Sequence, residues 1–176
     1  MPSLFFPAIM IGMKRDKRTT TPNEHIEITI TGLGSSGEGV GKVKGFTYFI
    51  PGALPGERVT AAVTAKKKNY GLGRLEKILV PSPDRITPPC PVYEACGGCQ
   101  IQHLAYEAQL VQKRQTVIDA LERIGHFSGI NVNPTLGADD PWHYRNKAQF
   151  PVREDENGIP QTGFFAGNTK KAQPLP

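Results

Sequence analysis

The three cysteines of this 176-residue chain lie within ten residues of one another. They occupy positions 90, 96 and 99 in the run CPVYEACGGC, which has the spacing C-x5-C-x2-C. Thiolates gathered in this way usually hold an iron–sulfur cluster or a metal ion. Gly97 and Gly98 suit such a loop, because glycine allows a tight turn and brings backbone N–H groups close to sulfur. The sequence therefore predicts that Cys90, Cys96 and Cys99 are metal ligands.

The odd number of thiols leaves several ligand sets open. An iron–sulfur cluster normally takes four protein ligands, so either one iron is left open or a fourth ligand lies elsewhere. A zinc ion bound by the three cysteines and His103 would complete C-x5-C-x2-C-x3-H. Cys96 and Cys99 are also spaced as a redox dithiol, and inert buried thiols are the remaining interpretation. A disulfide framework is not expected, because nothing indicates secretion and three cysteines cannot all pair.

The composition indicates a turn-rich protein with β structure and a basic first half. Hydrophobic residues make up 38% of the chain, beside 19 Gly and 16 Pro, and its length allows one or two small domains. Of the net charge of +5, residues 1–80 contribute twelve Lys or Arg against six Asp or Glu. A positive field concentrated in this way is expected of a surface that meets a polyanion, with nucleic acid the first candidate.

Residues 1–22 are predicted to be a disordered leader, in which Met1 or Met13 is the true start. The apolar stretch at residues 4–13 is too short to span a bilayer and is interrupted by Pro7. Its basic residues follow the apolar stretch, which reverses the order found in a secretory signal. These features predict no membrane association and favour the cytoplasm.

From residue 25 to residue 80, apolar and polar residues alternate with a period of two. Ile26, Ile28 and Ile30 show this pattern most clearly, and it is typical of half-buried strands. Glycines and prolines separate the alternating stretches. Strands are expected near residues 25–32, 38–44, 46–50, 57–66 and 71–79. Five short, closely spaced strands predict a small closed barrel of OB-like type over residues 23–80.

The run GLGSSG at residues 32–37 matches the G-x-G-x-x-G pattern of dinucleotide-binding loops. That function requires a helix to start at the motif, so that the helix N-terminus holds the pyrophosphate. The glycine-rich alternation of residues 38–45 is incompatible with a helix. We therefore interpret these glycines as turns and bulges of the barrel.

Basic and aromatic residues in the barrel sequence are suited to RNA. Cations neutralise phosphates, and an exposed aromatic ring gives unpaired bases a surface on which to stack. RNA contacts are predicted at Lys42, Lys44, Lys66, Lys67, Lys68, Tyr70 and Arg74. The alternative is a solvated lysine-rich hairpin that prevents edge-to-edge aggregation.

Residues 81–89 contain four prolines, which block helix and sheet pairing and predict a linker. After the cysteines, apolar residues at helical spacing predict one long helix over residues 104–124. Alternation returns at residues 144–152 and 161–165, and Asn157-Gly158 between them predicts a hairpin. The predicted fold is mainly β, with an OB-like five-stranded barrel followed by a partial α+β domain with one long helix.

The stretches PGALPGE, CPVYEACGGCQIQHL, WHYRNKAQF and GFFAG resemble one known family. This family is the S-adenosylmethionine-dependent RNA 5-methyluridine methyltransferases with an iron–sulfur cluster, which include the bacterial 23S rRNA (uracil-5-)-methyltransferases. The resemblance covers residues 25–176, the N-terminal part of such an enzyme. It implies that the barrel is an RNA-binding TRAM domain and that residues 90–176 belong to a partial cluster-binding domain. It also implies that Cys90, Cys96 and Cys99 bind a [4Fe–4S] cluster.

The same resemblance implies that the remaining machinery lies beyond Pro176. A fourth cysteine is expected there, followed by a methyltransferase domain with the S-adenosylmethionine site, the nucleophilic cysteine and the general base. No catalytic and no S-adenosylmethionine-binding residue is therefore assigned to this chain, which is expected to be inactive alone. The expected partner is RNA, with ribosomal RNA first and transfer RNA second. The alternative function is a stand-alone RNA-binding module with a Cys3His zinc site that includes His103.

Overall fold

The structure of this chain is a computed structural model that describes residues 24–155, 157–166 and 172–174. The predicted leader at residues 1–22 lies outside the described residues. The elements in chain order are β1 His25–Leu33, β2 Gly39–Val43, β3 Phe46–Ile50, β4 Arg58–Lys66, β5 Tyr70–Val80, α1 Tyr106–Arg123, β6 Val152–Glu154, β7 Pro160–Phe165 and β8 Ala172–Pro174.

Strands β1 to β5 form a closed barrel in the order β1-β2-β3-β5-β4, with β4 pairing back to β1. All neighbours are antiparallel except β3 and β5, which run parallel. Each of the five predicted strands overlaps one observed strand, so the prediction of a small five-stranded barrel is confirmed. Closure leaves no open sheet edge on which another chain can pair.

The barrel interior is filled by the apolar residues of the period-two pattern. Ile26, Ile28 and Ile30 are buried along β1 while the residues between them are exposed. They pack with Tyr48, Ile50, Ala53, Val59, Ala61 and Val63. Each large aliphatic side chain in this core contributes about 2 kcal/mol to stability.

The glycines of the G-x-G-x-x-G run serve turns and a bulge, as the sequence analysis predicted. The pairing of β1 with β2 shifts register between Ile30 and Gly32, and Gly37 has φ +86° in the following turn. Inward-facing glycines on the strands have a second role. A Cβ at Gly41 would lie 2.3 Å from the Thr29 carbonyl oxygen, so only glycine fits there.

Helix α1 lies outside the barrel and is slightly shorter than predicted. It runs from Tyr106 to Arg123, and the Gly125 N–H donates to the Ala120 carbonyl after its end. No residue of α1 is fully buried. Residues 132–138 run beside the helix, where Arg114 Nε donates to the Val132 carbonyl at 2.8 Å. Among the described residues, no helix has the length and apolar character that crossing a bilayer requires.

A second, small sheet contains the predicted hairpin. Strands β6 and β7 pair around a turn in which the Asp155 carboxylate accepts the N–H groups of Asn157 and Ile159. The prediction of a strand over residues 144–152 is wrong for all but its last residue, Val152. Pro151 has no N–H to offer a ladder, and Phe150 packs its ring against Phe164 instead.

Candidate nucleic-acid interface and cysteine loop

Three of the predicted RNA contacts lie on one outer face of the barrel. Lys42 on β2 is opposite Thr47 on β3, and Thr47 is opposite Tyr70 on β5. Residues paired across neighbouring strands point to the same side of a sheet, and the exposed Arg74 follows Tyr70 on that side. We define the outer face as Lys42, Phe49, Tyr70, Leu72 and Arg74.

Aromatic and apolar side chains form the centre of this outer face. Phe49 is opposite Leu72, and the Phe49 ring meets the Tyr70 ring edge to face with centroids 5.5 Å apart. Tyr70 and Leu72 remain 39% and 37% exposed. A ring held in this way offers a rigid stacking surface between two cations. Phe49 is absent from the predicted contacts, because the apolar run of β3 does not show which of its residues face outward; the pairing with β2 and β5 shows that Phe49 does.

The other lysines lie at one end of the barrel. Lys44, Lys66 and Lys67 line a cleft of about 690 Å³ together with Phe46 and Tyr48. Lys44 lies in the turn between β2 and β3 at φ +50°. Lys68 is exposed in the turn between β4 and β5. The predicted contacts thus divide between the outer face, this end cleft and one turn.

The end cleft is electrostatically mixed. Glu24 and Glu27 also line it, and Lys66 Nζ contacts both carboxylate oxygens of Glu24, at 2.7 and 3.0 Å. The hydrogen bond to Glu24 raises the pKa of Lys66, so its charge is partly compensated within the chain. On the outer face, neither Lys42 nor Arg74 forms an ion pair within the described residues, and Glu76, two positions after Arg74 on β5, contacts His25 at 2.8 Å. The cations of the outer face are therefore less compensated than Lys66.

The cysteine loop, which we define as residues 87–102, is a series of tight turns. The Cys96 N–H donates to the Val92 carbonyl at 2.9 Å. The loop also pairs with the small sheet, because Cys96 forms an antiparallel bridge with Ala166 and the Gly97 N–H donates to the Phe165 carbonyl at 2.9 Å. Ala166, which directly follows β7, is therefore brought beside Cys96.

Two of the three sulfur atoms accept hydrogen bonds. The Gly98 N–H donates to Cys96 Sγ at 3.3 Å, and Gln102 Nε2 donates to Cys99 Sγ at 3.1 Å. Cys90 and Cys96 are partly buried, while Cys99 is exposed. A Cβ at Gly98 would lie 3.0 Å from the Phe164 ring, which explains the glycine at that position. N–H groups directed at thiolate sulfur are a feature by which proteins tune iron–sulfur clusters.

The described residues do not assemble a site for a single metal ion. Within them, no three side chains of His, Cys, Asp or Glu are grouped so that they could hold one. His103 is 4% exposed, and its Nδ1 shares a hydrogen bond with the Tyr93 hydroxyl. The structure therefore gives no support to the predicted Cys3His zinc set. The same finding applies to the three thiols without His103, so the binding of a cluster by Cys90, Cys96 and Cys99 stays a prediction.

His103 is held neutral in this environment. Burial lowers its pKa, and the positive charge of Arg85 lowers it further. The nearby Glu57 carboxylate opposes the shift only in part. Its Nε2 atom has no hydrogen-bond partner within the described part of the chain. In this structure His103 is a buried residue at the end of the cysteine loop, and within the described residues it is not grouped with the cysteines.

Comparison with known proteins identifies the domain type of the barrel. Residues 19–75 match the family model of the TRAM domain. The chain therefore carries a TRAM domain, and that prediction is confirmed.

The relatives of this chain are named RNA methyltransferases. One, an uncharacterized RNA methyltransferase of Halalkalibacterium halodurans, is 50% identical over 153 residues, which are 87% of this chain and 33% of that protein. An uncharacterized RNA methyltransferase of Listeria innocua is 49% identical over 143 residues, 81% of this chain and 31% of its own length. The chain thus spans about a third of the length of the curated relatives it matches.

Among solved structures, the chain is similar to a tRNA (uracil-54, C5)-methyltransferase of Pyrococcus abyssi in complex with S-adenosyl-L-homocysteine. The identity is 30% and the TM-score is 0.41, with 61% of this chain and 23% of that chain covered.

Proposed function

We propose that this chain is the RNA-recognition and iron–sulfur part of an S-adenosylmethionine-dependent RNA (uracil-5-)-methyltransferase. The observation that carries the proposal is the 50% identity over 153 residues to a protein named as an RNA methyltransferase. A match of that extent includes both the barrel and the cysteine loop, so it joins the two features that the sequence singled out. Ribosomal RNA is the first candidate substrate and transfer RNA the second.

The outer face supports the RNA-binding part of the proposal. Lys42 and Arg74 supply cations for phosphates, and the Phe49–Tyr70 pair supplies a stacking surface. Stacking requires bases that are not enclosed in a duplex, so the preferred ligand is a single-stranded or looped RNA segment. The role of this chain is to bind the segment that contains or adjoins the target uridine.

The cysteine loop supports the cluster part of the proposal. Cys90, Cys96 and Cys99 would hold the cluster, and the N–H groups of Gly98 and Gln102 would stabilise negative charge on two of the sulfur atoms. When bound, an iron–sulfur cluster supplies a rigid crosslink for the loop and a centre that takes up or releases one electron. None of these thiols is proposed as the nucleophile that attacks uridine, since ligated sulfur has its electron pairs engaged with metal.

RNA binding is tested by titrating the purified chain with two fluorescent ligands of the same length, a single-stranded RNA and its duplex. We expect tighter binding of the single strand, because only unpaired bases can stack on Phe49 and Tyr70. Tighter binding of the duplex, or no saturable binding of either RNA, would contradict the proposed ligand.

The cluster is tested by purifying the chain under anaerobic conditions and measuring iron, sulfide and zinc. We expect iron and sulfide together with a broad absorption near roughly 400 nm. Colourless protein with stoichiometric zinc would favour the alternative function, a stand-alone RNA-binding module with a zinc site. The absence of all three elements after reconstitution with iron and sulfide would contradict both metal proposals.

A further inference from the structure

The fully buried carboxylate of Glu57 lies where the barrel meets the proline-rich segment at residues 81–89. Glu57 is 0% exposed and accepts four hydrogen bonds. Two come from the backbone N–H groups of Leu54, at 2.8 Å, and Ser82, at 3.3 Å. The other two come from Arg85, whose Nε and Nη2 contact the two carboxylate oxygens at 2.6 and 2.9 Å. A paired charge in this setting fixes the geometry of both partners.

Arg85 also binds the barrel at a second point. Its Nη2 donates to the Gly52 carbonyl at 2.6 Å, so the guanidinium spans the loop between β3 and β4. Burial alone would raise the pKa of Glu57, but the hydrogen bonds from Arg85, Leu54 and Ser82 outweigh it and lower the pKa. The pair is therefore ionised at neutral pH. Residues 81–89, which the sequence analysis predicted to be a linker, are tied to the barrel at their centre.

The same arginine lies at the base of the cysteine loop. Arg85 forms an antiparallel bridge with Leu104. On either side of the bridge, the Ile86 N–H donates to the His103 carbonyl at 3.0 Å and the Ala105 N–H donates to the Asp84 carbonyl at 2.9 Å. Residues 84–86 and 103–105 thus form a stem that brings both ends of the cysteine loop together. This stem is attached to the barrel through the side chain of Arg85.

We propose that Arg85 and Glu57 are positioning residues for the cysteine loop. Their buried ion pair anchors the loop stem to the TRAM barrel, so that the three thiols are held in place before any metal binds. The barrel thereby acts as the scaffold of the thiol site in addition to any RNA it binds. This inference concerns the metal-free chain and does not rest on the proposed function. It would stand if the chain bound neither RNA nor iron.

The test compares Arg85→Met with Arg58→Met in the metal-free, reduced chain. Arg58 is the matched control, because it pairs with Glu27 on the same barrel, but at 3.5 Å and with both side chains more than half exposed. In Arg85→Met we expect amide hydrogen exchange at Ile86 and Ala105 to rise about tenfold, as in local opening, while the barrel amide of Ile30 stays protected. Alkylation of the partly buried Cys90 is expected to accelerate relative to the exposed Cys99. Arg58→Met is expected to match the wild type in all three readouts.

Two further variants separate positioning from a general loss of folding. Glu57→Gln/Arg85→Met removes the buried unpaired charge that Arg85→Met leaves behind, and we expect it to free the stem while the barrel stays folded. Arg85→Lys keeps the positive charge but lacks the planar guanidinium that contacts both carboxylate oxygens. We expect it to restore the protection of the stem amides from hydrogen exchange in part. Unchanged exchange at Ile86 and Ala105 in Arg85→Met would overturn the proposal. The proposal would also be overturned if hydrogen exchange rose equally at the stem amides and the barrel amide in the double variant. Arg85 would then stabilise the whole fold and not the stem in particular.

Discussion

At the scale of single residues, burial determines which ion pairs contribute most to the stability of this chain. Lys66 and Arg58 form ion pairs at the surface, where solvent and salt screen such contacts and they add little to stability. Glu57 is fully buried, so removal of its partner Arg85 would leave an uncompensated charge that costs about 3–5 kcal/mol. The buried His103 lies close to the same pair.

His103 gives the chain a dependence of stability on pH. Burial and the Arg85 charge lower its pKa below the ordinary value of 6.5, so the unfolded chain binds the proton more readily than the folded chain. The free energy of unfolding contributed by this residue therefore falls as the pH drops below about 6.5. In His103→Asn we expect a flatter dependence between about pH 7 and pH 5, measured by urea denaturation. His126→Asn, at an exposed position, should retain the wild-type dependence, and an equally steep fall in His103→Asn would contradict this explanation.

The aromatic pair of the outer face is expected to carry much of the affinity for unpaired RNA. Stacking of one base on an aromatic ring contributes about 1–3 kcal/mol, so Tyr70→Ala should weaken binding of a single-stranded RNA by about tenfold. Phe49→Ala should also weaken it, because Phe49 supports the Tyr70 ring edge to face. Phe127→Ala is the control, since Phe127 is an exposed aromatic residue that follows α1 and belongs to no barrel strand. Fluorescence anisotropy measures the effect, and equal affinities for all three variants would exclude the outer face as a stacking surface.

At the scale of elements, alternation in the sequence was sufficient to predict the barrel strands, because each buries one side. The apolar pattern of residues 144–152 was the same kind of signal and failed, since a strand also needs a partner and Pro151 cannot pair. The sequence is a poorer guide to which side of the sheet each strand side chain faces. Phe49 escaped notice because β3 is nearly continuous in apolar residues, and its outward direction depends on pairing with β2 and β5.

The turn between β1 and β2 forms a second contact between the barrel and the cysteine loop. A Cβ at Gly37 would lie 2.9 Å from Ile101 Cγ2 and 3.1 Å from Gln100 Cβ, so the two segments touch. Gly45 has a similar positive φ, but a Cβ there would meet nothing within 4 Å. Substitutions at Gly37 and Gly45 therefore distinguish the effect of backbone strain from the effect of contact with the cysteine loop.

We expect Gly37→Asn to displace the cysteine loop and to destabilise the chain by about 1–3 kcal/mol, because extra atoms in a packed contact force a backbone shift. Asparagine tolerates positive φ better than other residues, so Gly45→Asn should change little. Thermal unfolding gives the stability, and hydrogen exchange at the Leu104 amide, which bonds to the Ile101 carbonyl, reports on the loop. A similar loss of stability in both variants would show that backbone strain alone is responsible.

At the scale of the whole molecule, the barrel and the cysteine loop are connected through contacts that the sequence did not reveal. The cysteines could be recognised because all three ligand candidates lie on one short loop. The pair of Glu57 and Arg85 joins residues 28 positions apart, and it forms only because the proline-rich segment folds back over the loop between β3 and β4. The prolines of that segment predict a linker and give no sign that Arg85 contacts Glu57. The barrel and the cysteine loop are therefore predictable from the sequence as separate features, but their attachment is not.

RNA binding by the outer face of the TRAM barrel should weaken as salt concentration rises, because cations on that face contact phosphates. The logarithm of the association constant for a single-stranded RNA is measured against the logarithm of salt concentration. The wild type is compared with Lys42→Ala/Arg74→Ala and with the control Lys113→Ala/Lys147→Ala, which removes the same charge at exposed positions outside the barrel. We expect only the outer-face variant to flatten the slope, by about 1.4 for two lost phosphate contacts. An unchanged slope in that variant, or the same flattening in both, would contradict RNA binding by the outer face.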